Sequence, residues 1–321
     1  MKPIFTNDAI VFGILMLSLG FVFYTESLKN GFWPKFYKIV PGLFMAYFIP
    51  AIFTTFGVIS PEWKTTNAAG EIVSNSSQLY YVASRFLLPA ALVLMTLSID
   101  LKAIFNLGSK ALIMFFTGTV GVIIGGPLAI LLISIFSPET VGGADFDAVW
   151  RGLSTLAGSW IGGGANQTAM LEIYKYNPAK YGGMVIVDIV IANVWMAILL
   201  IGIGKKDKIN KWLKADTTAI EELKEKVIDF TQKVKKNPTL TDFMIMLAIG
   251  FGTVGFGHFS AKYLSAFFSN FVASIDSQTW RNVFSFLGSS FFWLISISTI
   301  IAILLSYTKA KNYEGAGASK L

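Results

Sequence analysis

Long apolar segments alternate with short polar connections along most of this 321-residue chain. A helix needs about 20 mainly apolar residues to cross a bilayer, and none of the segments shows the residue-by-residue alternation of a membrane-barrel strand. The pattern therefore predicts an all-α, multi-pass membrane protein with about eight spans. The candidates are Asp8–Glu26, Phe36–Ile59, Leu79–Leu97, Ala111–Phe136, Ala148–Tyr174, Met184–Gly204, Leu240–Gly257 and Ser289–Tyr307.

The fifth apolar segment contains the stretch LAGSWIGGGANQTAM, which runs from Leu156 to Met170. Glycine in a helix interior costs about 1 kcal/mol relative to alanine, so three in a row are expected to break the helix. Freed backbone groups in a membrane persist only where they are buried in protein or line a wet cavity. Broken helices of this kind build the binding sites of transporters. We predict a substrate or ion site at Gly162, Gly163, Gly164, Asn166, Gln167 and Thr168.

Two further polar residues, Asp188 and Asn193, lie inside the sixth apolar segment. A charged residue at a helix centre costs about 2.5–3.5 kcal/mol on insertion scales, so it is normally paired, protonated or functional. Asp188 is the stronger candidate, as an ion ligand or proton carrier. The two side chains point about 140° apart on a regular helix and cannot share one small site there. The alternative is that Asp188 lies near the helix end, at the interface.

Composition narrows the classes of function. Charged residues make up 14% of the chain, against about 25% in soluble domains. The absence of cysteine excludes disulfides and thiolate metal sites, and a single histidine, His258, excludes a multi-histidine metal centre. The net charge of +7 comes mostly from residues between apolar segments, which indicates topology and lipid contacts rather than nucleic-acid binding. The chain carries neither HExxH nor GxSxG, so we expect no enzyme and no cofactor.

The long polar segment 205–238 is rich in lysine and predicts an amphipathic helix. One face of that helix would carry Ile220, Leu223, Val227, Phe230 and Val234. Such a helix could lie on the membrane surface, pack on a partner, or simply connect two halves of the protein.

The distribution of lysines does not give one consistent topology. With six crossings before the linker, the first, third and fifth connections share a side, and the positive-inside rule makes that side cytoplasmic. These connections carry Lys29, Lys35, Lys38, Lys102, Lys110, Lys175 and Lys180. The same count places the lysine-rich linker outside, which the rule disfavours. Either one segment is miscounted or the linker violates the rule.

Three stretches, GSWIGGGANQTAM, LLPAALVLMTLSIDLKAI and LGSSFFWLISISTIIAILLS followed by EGAGASKL, resemble the domain of unknown function 819 family of YjcL-like membrane proteins. The resemblance covers essentially the whole chain. More distantly, LVLMTLSIDL and the glycine-broken helix resemble the bile-acid/sodium symporter and sodium/proton antiporter superfamily, whose members have two inverted repeats. The resemblance implies a secondary transporter, coupled to Na⁺ or H⁺, but supplies no substrate. It indicates the same glycine-rich residues and, less firmly, Asp188 and Asn193.

If the chain is built as an inverted repeat, residues 1–204 form a first repeat of about six spans and residues 205–238 form the linker. Residues 239–321 then form the start of a second repeat, with about two spans. Counterparts of the third to sixth spans do not follow, so we expect this chain to be incomplete. The leading hypothesis is an ion-coupled transporter, such as a symporter, of a small solute in the cell membrane, with a bacterial inner membrane and a homodimer as candidates. The alternative is a non-transporting regulator, an assembly subunit or an inactive fragment.

Overall fold

The computed structural model describes residues 3–38, 40–66, 70–97, 99, 109–203, 206–214, 225, 228 and 236–318. Within them, five helices are long and apolar enough to cross a membrane: Asp8–Ser27, Leu79–Leu97, Leu112–Phe136, Pro178–Met196 and Leu240–Ala273. A sixth candidate is Ser290–Ser306 together with Lys309–Ala316, which is bent by 94°. The prediction of a helical, multi-pass membrane protein is confirmed, whereas eight spans and an inverted repeat stay predictions.

The described helices are, in chain order, α1 (Asp8–Ser27), α2 (Phe32–Tyr37), α3 (Gly42–Thr55), α4 (Leu79–Val82), α5 (Leu88–Leu97), α6 (Ser109–Phe136), α7 (Pro138–Val141), α8 (Val149–Gly162), α9 (Gly164–Ile173), α10 (Pro178–Ile203), α11 (Lys206–Leu213), α12 (Leu240–Ala273), α13 (Gln278–Phe284) and α14 (Ser290–Ser306). A π-helical turn, Ala83–Leu87, joins α4 to α5, and 3₁₀ turns occupy Ser285–Gly288 and Lys309–Ala316. Two strands, β1 (Glu62–Thr66) and β2 (Ile72–Ser76), form an antiparallel hairpin.

The chain forms two compact units. The first comprises residues 1–83 and 177–195, and the second comprises residues 84–176 and 196–321. The predicted division into a repeat, a linker and a partial repeat stays a prediction. Most of the linker, including the five positions of its expected apolar face, lies outside the described residues.

In the first unit, α1 and α3 run antiparallel. The amide of Ile4, before α1, donates to the carbonyl of Gly57, after α3, at 2.9 Å. At the other end, the Glu26 carboxylate packs against Gly42, the first residue of α3. The predicted second span, Phe36–Ile59, is therefore not one helix: Phe36 and Tyr37 end α2, and α3 begins only at Gly42.

The β-hairpin is the main element that the hydrophobic pattern did not predict. Its register pairs Glu62 with Ser76 and Thr66 with Ile72, within the polar connection between the second and third apolar segments. The strands are short and polar, so they carry no signal of membrane-spanning length. The Asp8 carboxylate accepts hydrogen bonds from the Ser77 hydroxyl at 2.7 Å and the Gln78 amide at 3.0 Å, which fixes the exit of the hairpin at the start of α1.

The second unit is organised around α12, which packs antiparallel to α14 and α5. A buried cluster joins these helices to α9 through Ala90, Ala169, Val254, Ala261, Phe291 and Leu294. A Cβ atom on Gly257 would lie 2.8 Å from the Ser298 hydroxyl oxygen and 3.0 Å from Leu294 Cδ1, so α12 and α14 approach closely there. The sequence predicted that the span ends at Gly257, but α12 continues to Ala273. Two of its glycines, Gly250 and Gly257, are the points where α5 and α14 approach it.

Candidate functional site

The predicted helix break lies at Gly163. This residue has φ 86° and ψ −174°, a backbone region that is essentially restricted to glycine. It ends α8, since its amide donates to the Ser159 carbonyl at 2.7 Å, and it caps α9, since its carbonyl accepts from the Gln167 amide at 3.1 Å. One glycine therefore terminates one helix and starts the next.

The two helices fold back on each other instead of continuing in one direction. A Cβ atom on Gly158 of α8 would lie 2.7 Å from Met170 Cγ and 2.8 Å from the Asn166 carbonyl oxygen of α9. In one straight helix Gly158 and Met170 would be about 18 Å apart. The prediction that Ala148–Tyr174 forms a single crossing is therefore wrong: α8 and α9 form a helical hairpin with Gly163 at its turn.

The open end of this hairpin is held together by Arg151. Its guanidinium donates to the carbonyl of Tyr174, just after α9, and also to the carbonyls of Asp145 at 3.1 Å and Ala144 at 3.0 Å. The Trp150 and Tyr174 rings meet edge to face, 6.1 Å apart. A cation at the carboxyl end of a helix is favourable because the helix dipole is negative there. The start of α8 and the end of α9 consequently lie side by side.

The predicted site residues around the turn have different environments. The Asn166 side chain packs against Gly162. Thr168 donates to the carbonyl of Gly164, in its own helix, at 3.1 Å. Gln167 is only 4% exposed, and its Nε2 atom has no hydrogen-bond partner. Among the predicted residues at the turn, Gln167 therefore carries buried donor groups that the fold leaves unpaired.

Asp188 and Asn193 both lie on α10. Asp188 is ten residues after Pro178, about 15 Å along the helix and near the middle of the span Pro178–Met196. Whether Asp188 is an ion ligand or an interface residue stays a prediction. Asp188 is half-buried and interacts electrostatically with Tyr47 of α3. Asn193 is exposed, and its amide donates to the Ile189 carbonyl at 2.8 Å.

The predicted residues thus fall into two groups in different units. The glycine-rich turn belongs to the second unit, whereas Asp188 and Asn193 belong to the first. That both groups serve one site stays a prediction. Among the described residues, no cluster of three or more acidic, histidine or cysteine side chains could hold a metal ion.

The sequence interpretation missed an ion pair beside the hairpin. Arg85, in the π-helical turn, lies 2.6 Å from the Glu172 carboxylate of α9, and its guanidinium lies 4.4 Å from the centre of the Phe291 ring. The Nε2 atom of His258 lies 3.0 Å from the Arg85 carbonyl oxygen. The sequence did contain a signal for this ion pair, because Arg85 and Glu172 are opposite charges that lie in two separate apolar segments. The pair ties the second arm of the hairpin to the start of α5.

Comparison with known proteins gives a family but no characterised relative. No curated protein matches the chain, and no solved structure does. The family described as Protein of unknown function (DUF819) matches residues 13–321, which is nearly the whole chain. This agrees with the resemblance carried by the glycine-rich stretch, and the chain therefore belongs to the DUF819 family of proteins of unknown function.

Proposed function

We propose that the protein is an ion-coupled secondary transporter of a small solute, in which the turn of the α8–α9 hairpin binds the solute. The observation that carries this proposal is the buried, unpaired Gln167 amide beside a turn that only glycine can make. Interrupted helices inside a membrane persist where their ends bind a substrate or an ion.

The dimensions of the hairpin support a position of its turn within the membrane. Its arms have 14 and 10 residues, or about 21 and 15 Å, and the hydrocarbon core is about 30 Å thick. A hairpin of this length enters and leaves on one side without crossing. Ala169 packs in the same buried cluster as Val254, which is fourteen residues into the spanning helix α12. The turn therefore lies deeper than the charged residues at the open end.

A hairpin that does not cross also removes the conflict in the charge distribution. If the α8–α9 hairpin does not cross, five crossings instead of six precede the lysine-rich linker. The linker then lies on the same side as the first and third connections, as the positive-inside rule requires. Those connections carry Lys29, Lys35, Lys38, Lys102 and Lys110. The connection between α9 and α10, with Lys175 and Lys180, moves to the opposite side. The proposed topology keeps the amino terminus outside and puts the linker in the cytoplasm.

Asp188 is the proposed carrier of the coupling ion, Na⁺ or H⁺. A carboxyl group near the middle of a span is costly unless it is used or neutralised. Asp188 is half-buried and interacts electrostatically with Tyr47 of α3, within a helix whose neighbouring residues are mostly apolar. A cation or a proton bound at this carboxylate would be released when its surroundings change during transport.

The test is the thermal stability of the purified protein in sodium chloride against choline chloride at equal ionic strength, and across a series of pH values. An ion that binds only the folded protein at about 100 times its Kd adds about 2.7 kcal/mol. Stabilisation by Na⁺ or by protonation should disappear in Asp188→Asn. Asp276→Asn makes the same chemical change in an exposed loop and should keep the response.

The two possible failures have different meanings. If Asp188→Asn responds like the wild-type protein, Asp188 is not the coupling site. If the wild-type protein responds to neither ion, ion-coupled transport is refuted, and a non-transporting regulator or assembly subunit becomes the better hypothesis.

A further inference from the structure

Two buried side-chain atoms in the described residues have no hydrogen-bond partner, Gln167 Nε2 and Ser298 Oγ. They belong to α9 and α14, which pack against each other. Buried polar groups in native proteins are nearly always paired, so each exception needs its own explanation. For Gln167, the explanation lies in its place on α9.

Gln167 is in the first turn and a half of α9, and side chains on a helix lean towards its amino terminus. The first intrahelical bond of α9 is the one from the Gln167 amide to the Gly163 carbonyl, 3.1 Å. The amides of residues 164–166 precede it and have no intrahelical acceptor. The capping residue is a glycine and provides no side-chain acceptor. The side-chain NH₂ group and the free amides thus gather at the same end of the helix.

We propose that this end of α9 binds a carboxylate anion, with the Gln167 NH₂ group donating to one oxygen and the backbone amides of α9 donating to the other. The inference rests on the proposed function and specifies the chemical class of the solute. A helix amino terminus carries about half a positive charge, which favours an anion. The Gln167 NH₂ group and the first backbone amides of α9 are hydrogen-bond donors, and a carboxylate offers only acceptor oxygens to them.

The donors favour a carboxylate over a phosphate because they are neutral. Phosphate sites commonly use arginine or lysine, and the nearby basic groups are already engaged. Arg85 is paired with Glu172 at 2.6 Å. Arg151 binds three backbone carbonyls at the far end of the hairpin. Neutral donors at the partly positive end of a helix suit a carboxylate, whose single negative charge is shared by two oxygens.

The experiment is thermal stability and isothermal titration of the purified full chain with acetate, lactate, succinate and aspartate as choline salts. Choline chloride controls for ionic strength, and the uncharged amides of the same acids control for shape. Each titration is run without sodium and again with sodium chloride in place of choline chloride, so that carboxylate binding and its dependence on sodium are measured separately. At least one carboxylate should bind, and its amide should not.

Gln167→Met keeps the length of the side chain and removes the donors. It should weaken carboxylate binding at least about tenfold, since a hydrogen bond to a charged group is lost. Ser154→Ala deletes a hydroxyl that donates to the Arg151 carbonyl at 2.6 Å, far from the turn, and should bind like the wild-type protein. The proposal is overturned if no carboxylate binds, if the amides bind equally well, or if Gln167→Met binds with unchanged affinity. Loss of sodium dependence alone would overturn only the ion coupling.

Discussion

The replacement of Gly163 by alanine tests the architecture of the hairpin most directly. No atom lies within 4 Å of the position that a Cβ would occupy, so the substitution meets no steric obstacle from its neighbours. The free-energy cost of the substitution therefore comes from the backbone conformation alone, because an L-residue at φ 86° and ψ −174° is strained. Such conformations cost about 1–3 kcal/mol each. We therefore expect Gly163→Ala to lower the free energy of unfolding by that amount.

Gly164→Ala is the matched control, one residue further along. Its Cβ would also meet nothing within 4 Å, but Gly164 has no positive φ and is the first residue of α9. Alanine there should be neutral or stabilising by up to about 1 kcal/mol. The two variants should thus differ by about 1–4 kcal/mol in equilibrium unfolding in mixed micelles. Equal stabilities would refute the conformational role of Gly163 and the turn built on it.

Two further predictions concern the direction of the chain and the packing of the second unit. Because the chain has no cysteine, Asp145→Cys and Lys175→Cys can be labelled singly with an impermeant maleimide in sealed vesicles. Both should react from the same side, and labelling from opposite sides would contradict the hairpin. Gly257→Ala places a methyl 2.8 Å from the Ser298 hydroxyl and should cost about 1–3 kcal/mol of unfolding free energy. Adding Ser298→Ala should recover part of that loss in a double-mutant cycle, and full additivity would contradict the close contact.

The Asn193 prediction illustrates what residue type alone can and cannot establish. Its position inside an apolar run was a valid reason to consider it functional, and Asp188 was selected by the same argument. The structure satisfies the Asn193 amide locally through the Ile189 carbonyl, four residues earlier on the same helix. An amide can be satisfied by its own helix at membrane depth, whereas a carboxylate has no hydrogen to donate to backbone carbonyls. The chemistry of the side chain therefore separates the two candidates once their helix is known.

The apolar pattern by itself determined that the chain is helical and membrane-embedded, because segment length and composition are local properties that the thickness of the bilayer fixes. It also located the helix break, since three consecutive glycines weaken any helix. The direction of the chain after the break was decided by tertiary structure. Gly158 of α8 packs against α9, and Arg151 donates a hydrogen bond to the Tyr174 carbonyl. A turn and a straight continuation share one hydrophobic pattern, and only contacts between the arms distinguish them. The same holds for the Arg85–Glu172 pair, whose partners are 87 residues apart in sequence and are brought together by packing.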